Sequence, residues 1–262
     1  MEDELGVQLF VDRRRRPLQL TLAGQTFLEQ ARLAVAQTEQ AVRLTRLVHQ
    51  GELGRLTVGF TSSIANSVLP DIVQVFRQRF PEVKLVWREL STHSQIQELH
   101  DRQIDVGFFH VPRKIAEYED LSFITILEEP LIAVLPETHP LATQAKISLK
   151  ALAQEEFVLP SRQFVPGLSE GIYHLCDRAN FVPNVTQEAT LMTTILGLVA
   201  GGVGVALLPA NAQNLQRKGV VYKSIKGKTL TVQMAAFWRH NNSSAILREF
   251  LKVTKTVTGY SH

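Results

Sequence analysis

The chain has 262 residues, 45% hydrophobic and 20% charged, enough apolar material for two lobes with cores of their own. Its formal net charge of +3 is too small to argue for nucleic acid by itself, and its single cysteine, Cys176, excludes an intrachain disulfide and a cysteine-based zinc cluster. The best candidate for a membrane span, residues 191–209, is interrupted by Gly197, Gly201, Gly202 and Gly204, and the N-terminus opens on Glu2, Asp3 and Glu4 rather than on a secretory signal, so the expected setting is cytoplasmic with no membrane partner.

The first elements lie in residues 5–24, LGVQLFVDRRRRPLQLTLAG. Leu9, Phe10 and Val11 form a short apolar run, residues 12–17 supply a turn, and Leu18, Leu20 and Leu22 alternate with Gln19 and Thr21 as a half-buried strand does. Arg13, Arg14, Arg15 and Arg16 fill the hairpin tip, where they can reach DNA phosphates and give affinity without reading sequence. Over residues 1–22 these four cations are balanced by Glu2, Asp3, Glu4 and Asp12, so on charge alone a solvated hairpin accounts for the cluster equally well.

Residues 23–52 carry a helical pattern with neither proline nor glycine between Gly24 and Gly51. Phe27, Ala31, Ala34, Thr38, Ala41, Thr45 and Val48 follow one another at spacings of 4, 3, 4, 3, 4 and 3, a heptad seam that Leu28, Val35 and Val42 widen. Small residues on a seam suit close antiparallel packing, and the expected partner is a second copy of the chain. The alternative is a helix lying on its own domain.

Beyond Gly54 strands and helices alternate. Strands are predicted over residues 55–60, 83–90 and 104–109, with helices over 67–80 and 94–102 between them. Two apolar runs, 124–128 and 131–135, can cross to a second lobe. There the alternation repeats through a strand at 157–160, helices near 171–178 and 191–200, and a strand ending at 207–209. Segments 220–225 and 230–238 lead back, and residues 245–257 close the chain as an amphipathic helix.

Catalytic chemistry finds little support. Gly167-Leu168-Ser169-Glu170-Gly171 matches the G-x-S-x-G nucleophile elbow, with Asp177 or Glu188 and then His240 in hydrolase order, but residues 161–166 separate it from the strand an elbow must follow. Gly201, Gly202 and Gly204 lack the third glycine of a dinucleotide loop and suit a tight helix-to-strand turn. The histidines show no metal-ligand spacing, and Cys176 reads as a core thiol. No catalytic residue, metal or cofactor is expected.

Binding is better supported. Thr61, Ser62 and Ser63, and then Ser91, Thr92 and Ser94, follow strands and precede helices, where free N–H groups and the helix dipole favour an anion. Open α/β sheets bind ligands at that edge. Pro166 and Gly167 start a helix in the opposite lobe, with Phe164 as an apolar wall, and His110 follows the third strand. The bland alternative is that these hydroxyls only cap helices. Lys218, Lys223, Lys226 and Lys228 read as solubility.

The segment EDELGVQLFVDRRRRPLQLTLAGQTFLEQA resembles the stretch of LysR-type transcriptional regulators that runs from the end of the recognition helix through the wing into the linker helix, and the rest of the chain fits that family's effector domain. The resemblance implies an α/β fold with a two-lobed, type 2 periplasmic-binding-protein-like effector domain, preceded by a long linker helix and the wing remnant of a winged helix-turn-helix. It implies a wing remnant at 1–22, a dimerisation helix at 23–53, lobe I at 54–126 and 229–262, and lobe II at 127–228. It further implies promoter DNA as a partner, a homodimer or homotetramer, and a small organic acid effector held by Ser63, Thr92 and the segment Phe164, Pro166 and Gly167, to which Ser62 and His110 are added from their own places at strand ends. Most of the helix-turn-helix is absent ahead of Met1, so sequence-selective DNA binding by this chain alone is not expected. A solute-binding protein of the same two-lobed fold is the rival, and a serine esterase acting through GLSEG comes third.

Overall fold

A computed structural model describes residues 1–12, 17–112, 118–227 and 231–260. A short helix, α1 (Glu2–Leu5), leads into a minimal hairpin. Phe10 and Leu20 form an isolated antiparallel bridge, flanked by hydrogen bonds from Val11 N to Gln19 O (2.9 Å) and from Thr21 N to Leu9 O (3.0 Å). Arg13, Arg14, Arg15 and Arg16, expected at its tip, lie outside the described residues.

Leu22, expected at the end of the second strand, instead opens the long helix α2 (Leu22–Gln50). The hydroxyl of Thr21 accepts the Gly24 N–H at 3.0 Å, and that N-cap bond ends the strand and starts the helix. At 1.5 Å per residue α2 is roughly 43 Å long. It stops at Gly51, which adopts a left-handed conformation at φ 76°. A Cβ on Gly51 would stand 2.7 Å from the Ala245 carbonyl carbon, so the linker turns into the body of the protein where only glycine fits.

Lobe I is built from β1 (Gly54–Phe60), β2 (Val83–Glu89) and β3 (Val106–His110), which pair in parallel in the order β2-β1-β3. The helix expected over 67–80 is α4 (Leu69–Arg79), with Pro70 in its first turn, where a missing N–H costs nothing, and a short additional helix, α3 (Ser62–Ala65), precedes it. Helix α5 (Thr92–His100) follows β2. The two apolar runs expected at 124–128 and 131–135 form one continuous strand, β4 (Leu121–Pro136).

That strand serves both lobes. Its first half pairs antiparallel with β10 (Thr231–Arg239), itself antiparallel to β3. Its second half pairs with β8 (Ala206–Pro209) and β9 (Val220–Ile225). Pro130, which has no N–H to leave unpaired, sits where the ladder changes partners. Lobe II is completed by β5 (Lys146–Ile147) on β9, by β6 (Glu156–Pro160) parallel to β7 (Asn184–Ala189), and by helices α6 (Pro166–Arg178) and α7 (Met192–Ala200). Gly204 lets β8 approach β6, since a Cβ there would meet the Glu156 carbonyl oxygen at 2.4 Å.

Each lobe has apolar side chains on both faces of its sheet. In lobe I, α4 and the closing helix α8 (Ala245–Thr258) bring Phe76 and Phe250 edge to face at 5.1 Å, while Phe109 stacks on Phe237 at 4.0 Å behind α5. In lobe II, Phe157, Ile172 and Leu207 centre one cluster, and Val158, Ile195 and Leu208 centre the other.

The contact at Gly51 sets a test. Gly51→Ala is expected to destabilise the chain by about 2–3 kcal/mol in denaturant unfolding, combining a left-handed alanine with a backbone collision. Gly202→Ala, at φ 78° but with open space around it, is expected to cost only about 1 kcal/mol. Equal costs would mean that α2 does not dock against α8 through this glycine.

Candidate ligand-binding cleft

The C-terminal ends of β1, β2 and β3 in lobe I face the start of α6 and α7 in lobe II. Between them lies a cavity of about 610 Å³, counting its open mouth. Lobe I contributes Thr61, Ser62, Ser63, Glu89, Leu90, Ser91 and His110. Lobe II closes it mostly with apolar groups, among them Val165, Leu168, Leu191, Met192, Ile195 and Leu208. This is the sheet edge at which α/β folds take small ligands.

Polar bonds hold the lobes together on both flanks of the cavity. On one side the Asn211 side chain, from the 3₁₀ turn Ala210–Leu215, donates to Ser63 O (3.2 Å), Ser63 Oγ (3.0 Å) and Glu129 Oε2 (2.7 Å). Asn214 Nδ2 adds a bond to Asn66 O at 2.6 Å. On the other side the Thr92 N–H donates to Phe164 O at 3.0 Å, and α6 lies so close to β3 that a Cβ on Gly167 would stand 2.5 Å from His110 O.

Several buried polar atoms in this region have no hydrogen-bond partner: Thr61 Oγ1, Thr92 Oγ1, His110 Nδ1 and Asn211 Oδ1. Burial pushes the His110 imidazole down to about 4, so it is neutral at physiological pH. Burial also pushes the Glu129 carboxyl up to about 7, partly offset by hydrogen bonds from Asn211. Glu129 therefore titrates near neutrality beside the bond network that joins the lobes.

Of the effector residues expected from sequence, Ser62, Ser63 and His110 line the cavity. Thr92 is fully buried beside it, with its N–H committed to Phe164 and its hydroxyl turned into the protein. Phe164 engages through its backbone carbonyl while 39% of the residue remains exposed, and Pro166 and Gly167 serve the packing of α6 rather than the lining. Thr190, Leu191, Met192 and Ile195 went unrecognised, because β7 reads NVTQEA with no buried residue and gives no signal that α7 also begins at a strand end. Ser169 of the GLSEG motif sits inside α6, 1% exposed, and His240 lies elsewhere, within 3.1 Å of Ser122. The strand-to-helix elbow is absent there. Cys176 is buried and its thiol pushed up to about 12 by that burial, fitting a core residue. Among the described residues no cluster of potential metal ligands occurs, and no helix is long and apolar enough to cross a membrane.

Comparison with known proteins bears directly on this geometry. The family profile described as the LysR substrate binding domain matches residues 49–258. The HTH-type transcriptional regulator AlsR of Bacillus subtilis (strain 168) is 32% identical over 254 residues, covering 97% of this chain and 83% of AlsR. The crystal structure of CbnR, a LysR family transcriptional regulator, superposes with a TM-score of 0.84 at 23% identity, covering 97% of this chain and 86% of CbnR; full-length CbnR complexed with its target DNA gives 0.82 at 22% identity, covering 98% and 86%. The BenM effector binding domain with its effector benzoate gives 0.68 at 21% identity, covering 79% of this chain and 95% of that domain.

The Glu129 shift predicts a pH dependence. A carboxyl whose folded pKa is raised from 4.5 to about 7 holds a proton in the folded state that the unfolded chain releases, so its contribution to stability falls as pH rises through that window. The melting temperature of the wild type relative to Glu129→Gln should therefore decline from pH 4.5 to pH 7. A constant or rising difference would contradict the assignment.

Proposed function

The chain belongs to the LysR-type transcriptional regulators, and from that premise we propose that its interlobe cleft binds a small organic anion as effector, the binding state setting the angle between the lobes and hence the arrangement of the regulator on promoter DNA. The observation that carries this reading is the cavity itself, set at the strand ends and containing buried polar atoms without partners at Thr61 and His110. A buried polar group without a bond costs about 1–3 kcal/mol, and a ligand that supplies the missing partner recovers it. Ser63 is the central lobe I contact, because Asn211 fixes its hydroxyl at the cavity wall. CbnR is bound to its target DNA and BenM to benzoate in structures of this fold, which supports both halves of the proposal.

The division proposed is a wing segment at 1–22, a linker helix at 23–53, lobe I at 54–126 and 229–262, and lobe II at 127–228. The chain works by binding rather than catalysis, and in the cytoplasm. Arg13, Arg14, Arg15 and Arg16 are proposed to contact DNA phosphates. Along α2, Ala34, Thr38, Ala41, Thr45 and Val48 are exposed, with Phe27 and Ala31 half-buried. The Thr38 and Thr45 hydroxyls bond back to Ala34 O (2.9 Å) and Ala41 O (2.8 Å), so their polar groups are satisfied within the helix. With Val35 59% and Val42 47% exposed beside them, this apolar surface favours pairing with a second copy over a helix lying on its own domain.

Two outcomes are expected. A thermal-shift screen of organic acids should find a stabilising ligand whose affinity, by titration calorimetry, falls about tenfold in Ser63→Ala. Undiminished binding would remove Ser63 from the site. Placing glutamates at Ala34 and Ala41 should drive the particle towards monomer in analytical ultracentrifugation; an unchanged sedimentation coefficient would remove the seam from the interface.

A further inference from the structure

Resting on the effector reading above, we infer that the cleft selects a monocarboxylic acid with a compact apolar body, and discriminates against dicarboxylates and phosphates. The charge inventory carries the inference. Among the described residues lining the cavity, Glu89 is the only one with a formal charge at neutral pH; no lysine or arginine is present. The nearby arginines are engaged outside it, Arg88 with Glu98 at 2.8 Å and Arg162 over the Tyr173 ring at 4.2 Å. A ligand bearing two negative charges, or a phosphate dianion, therefore meets no countercharge and one like charge at Glu89.

A single carboxylate, by contrast, has partners. Helix α7 begins at the cavity with Leu191 and Met192 and has no side-chain cap, so its first N–H groups and its dipole point to the lining. Two further lining residues carry buried polar atoms without a partner. Thr61 is 7% exposed and His110 is 2% exposed; both line the cavity, and Thr61 Oγ1 and His110 Nδ1 have no partner. A hydroxyl and a neutral imidazole N–H each donate one hydrogen bond to a carboxylate oxygen, supplying local stabilisation without a full positive charge. The rest of the ligand meets Leu90, Val165, Leu168, Ile195 and Leu208, an apolar wall that accepts a hydrocarbon chain or ring and would leave a second carboxylate desolvated and unpaired.

The test is titration calorimetry on the full chain at pH 7.5 with acetate, butanoate, hexanoate and benzoate against succinate, adipate and inorganic phosphate. At least one monocarboxylate should bind ten times or more tightly than every dicarboxylate and phosphate. Thr61→Val keeps the side chain's shape, and since the Thr61 hydroxyl makes no capping bond to α3, the variant removes only the cavity donor; it should weaken the preferred monocarboxylate about tenfold. Glu89→Gln should narrow the gap between hexanoate and adipate by raising adipate affinity. If a dicarboxylate or phosphate binds best and Glu89→Gln leaves the ratios unchanged, the inferred class is overturned while the effector site stands. If no organic acid binds, the effector reading fails and this inference falls with it.

Discussion

One sixteen-residue strand belongs to two sheets, and the rest of the structure depends on that sharing. β4 donates its first half to the ladder with β10 and its second half to ladders with β8 and β9. A strand hydrogen-bonded on both sides of a crossing cannot slide in register without breaking the ladders of both lobes. Between the two sets of ladders lies only the short stretch of Glu129, Pro130 and Leu131, where the strand changes partners. In the proposed mechanism this constraint leaves the mutual angle of the lobes, rather than their register, as the quantity that an occupant of the cleft would set.

The bonds across that space are few and of ordinary strength. Asn211 and Asn214 hold one flank, and the Thr92 N–H with the packing of Gly167 on β3 holds the other. A neutral hydrogen bond contributes about 1 kcal/mol net, so these bonds add a few kilocalories to the apolar contact that α6 makes with Val232 of β10. A ligand whose affinity differs between two lobe angles by about 1.4 kcal/mol shifts their ratio tenfold. In the proposed reading, Thr61 and His110, which line the cavity with buried polar atoms lacking partners, are where a ligand would add bonds. At the other end of lobe I, the approach of Gly51 to the start of α8 ties the linker helix to the same body, the route that the proposed mechanism would use.

Much of this was legible in the residues. The alternation of apolar strands with amphipathic helices fixed the α/β class, and hydroxyl residues after Phe60 and Glu89 marked the sheet edge. Three things were hidden, each for a physical reason. Pro130 divides an apolar stretch into two runs, although a proline at a change of ladder partner interrupts nothing. β7 pairs with only β6 and buries none of its side chains, so it lacks the alternation that announces a strand, and the cavity face of α7 went with it. Thr92 and Phe164 do meet across the cleft, but through the backbone, Thr92 N–H to Phe164 O, a pairing between distant segments that no local pattern encodes. The four arginines of the hairpin tip lie outside the described residues, and their role rests on the sequence and the family.

The central claim, that the asparagine bonds help to hold the lobe angle across the shared strand, is most directly tested by a distance distribution. Spin labels at Gln78→Cys on α4 and Lys150→Cys in lobe II, both exposed positions, can be introduced with Cys176 left in place because that thiol is buried. Diluted with unlabelled chain so that intrachain distances dominate, the parent should give one narrow distribution in pulsed dipolar spectroscopy. Combined Asn211→Ala and Asn214→Ala substitutions should broaden or shift it while a label pair within lobe I stays unchanged. An unaltered interlobe distribution would show that the angle is fixed by the strand itself, and the account of a softly latched hinge would be wrong.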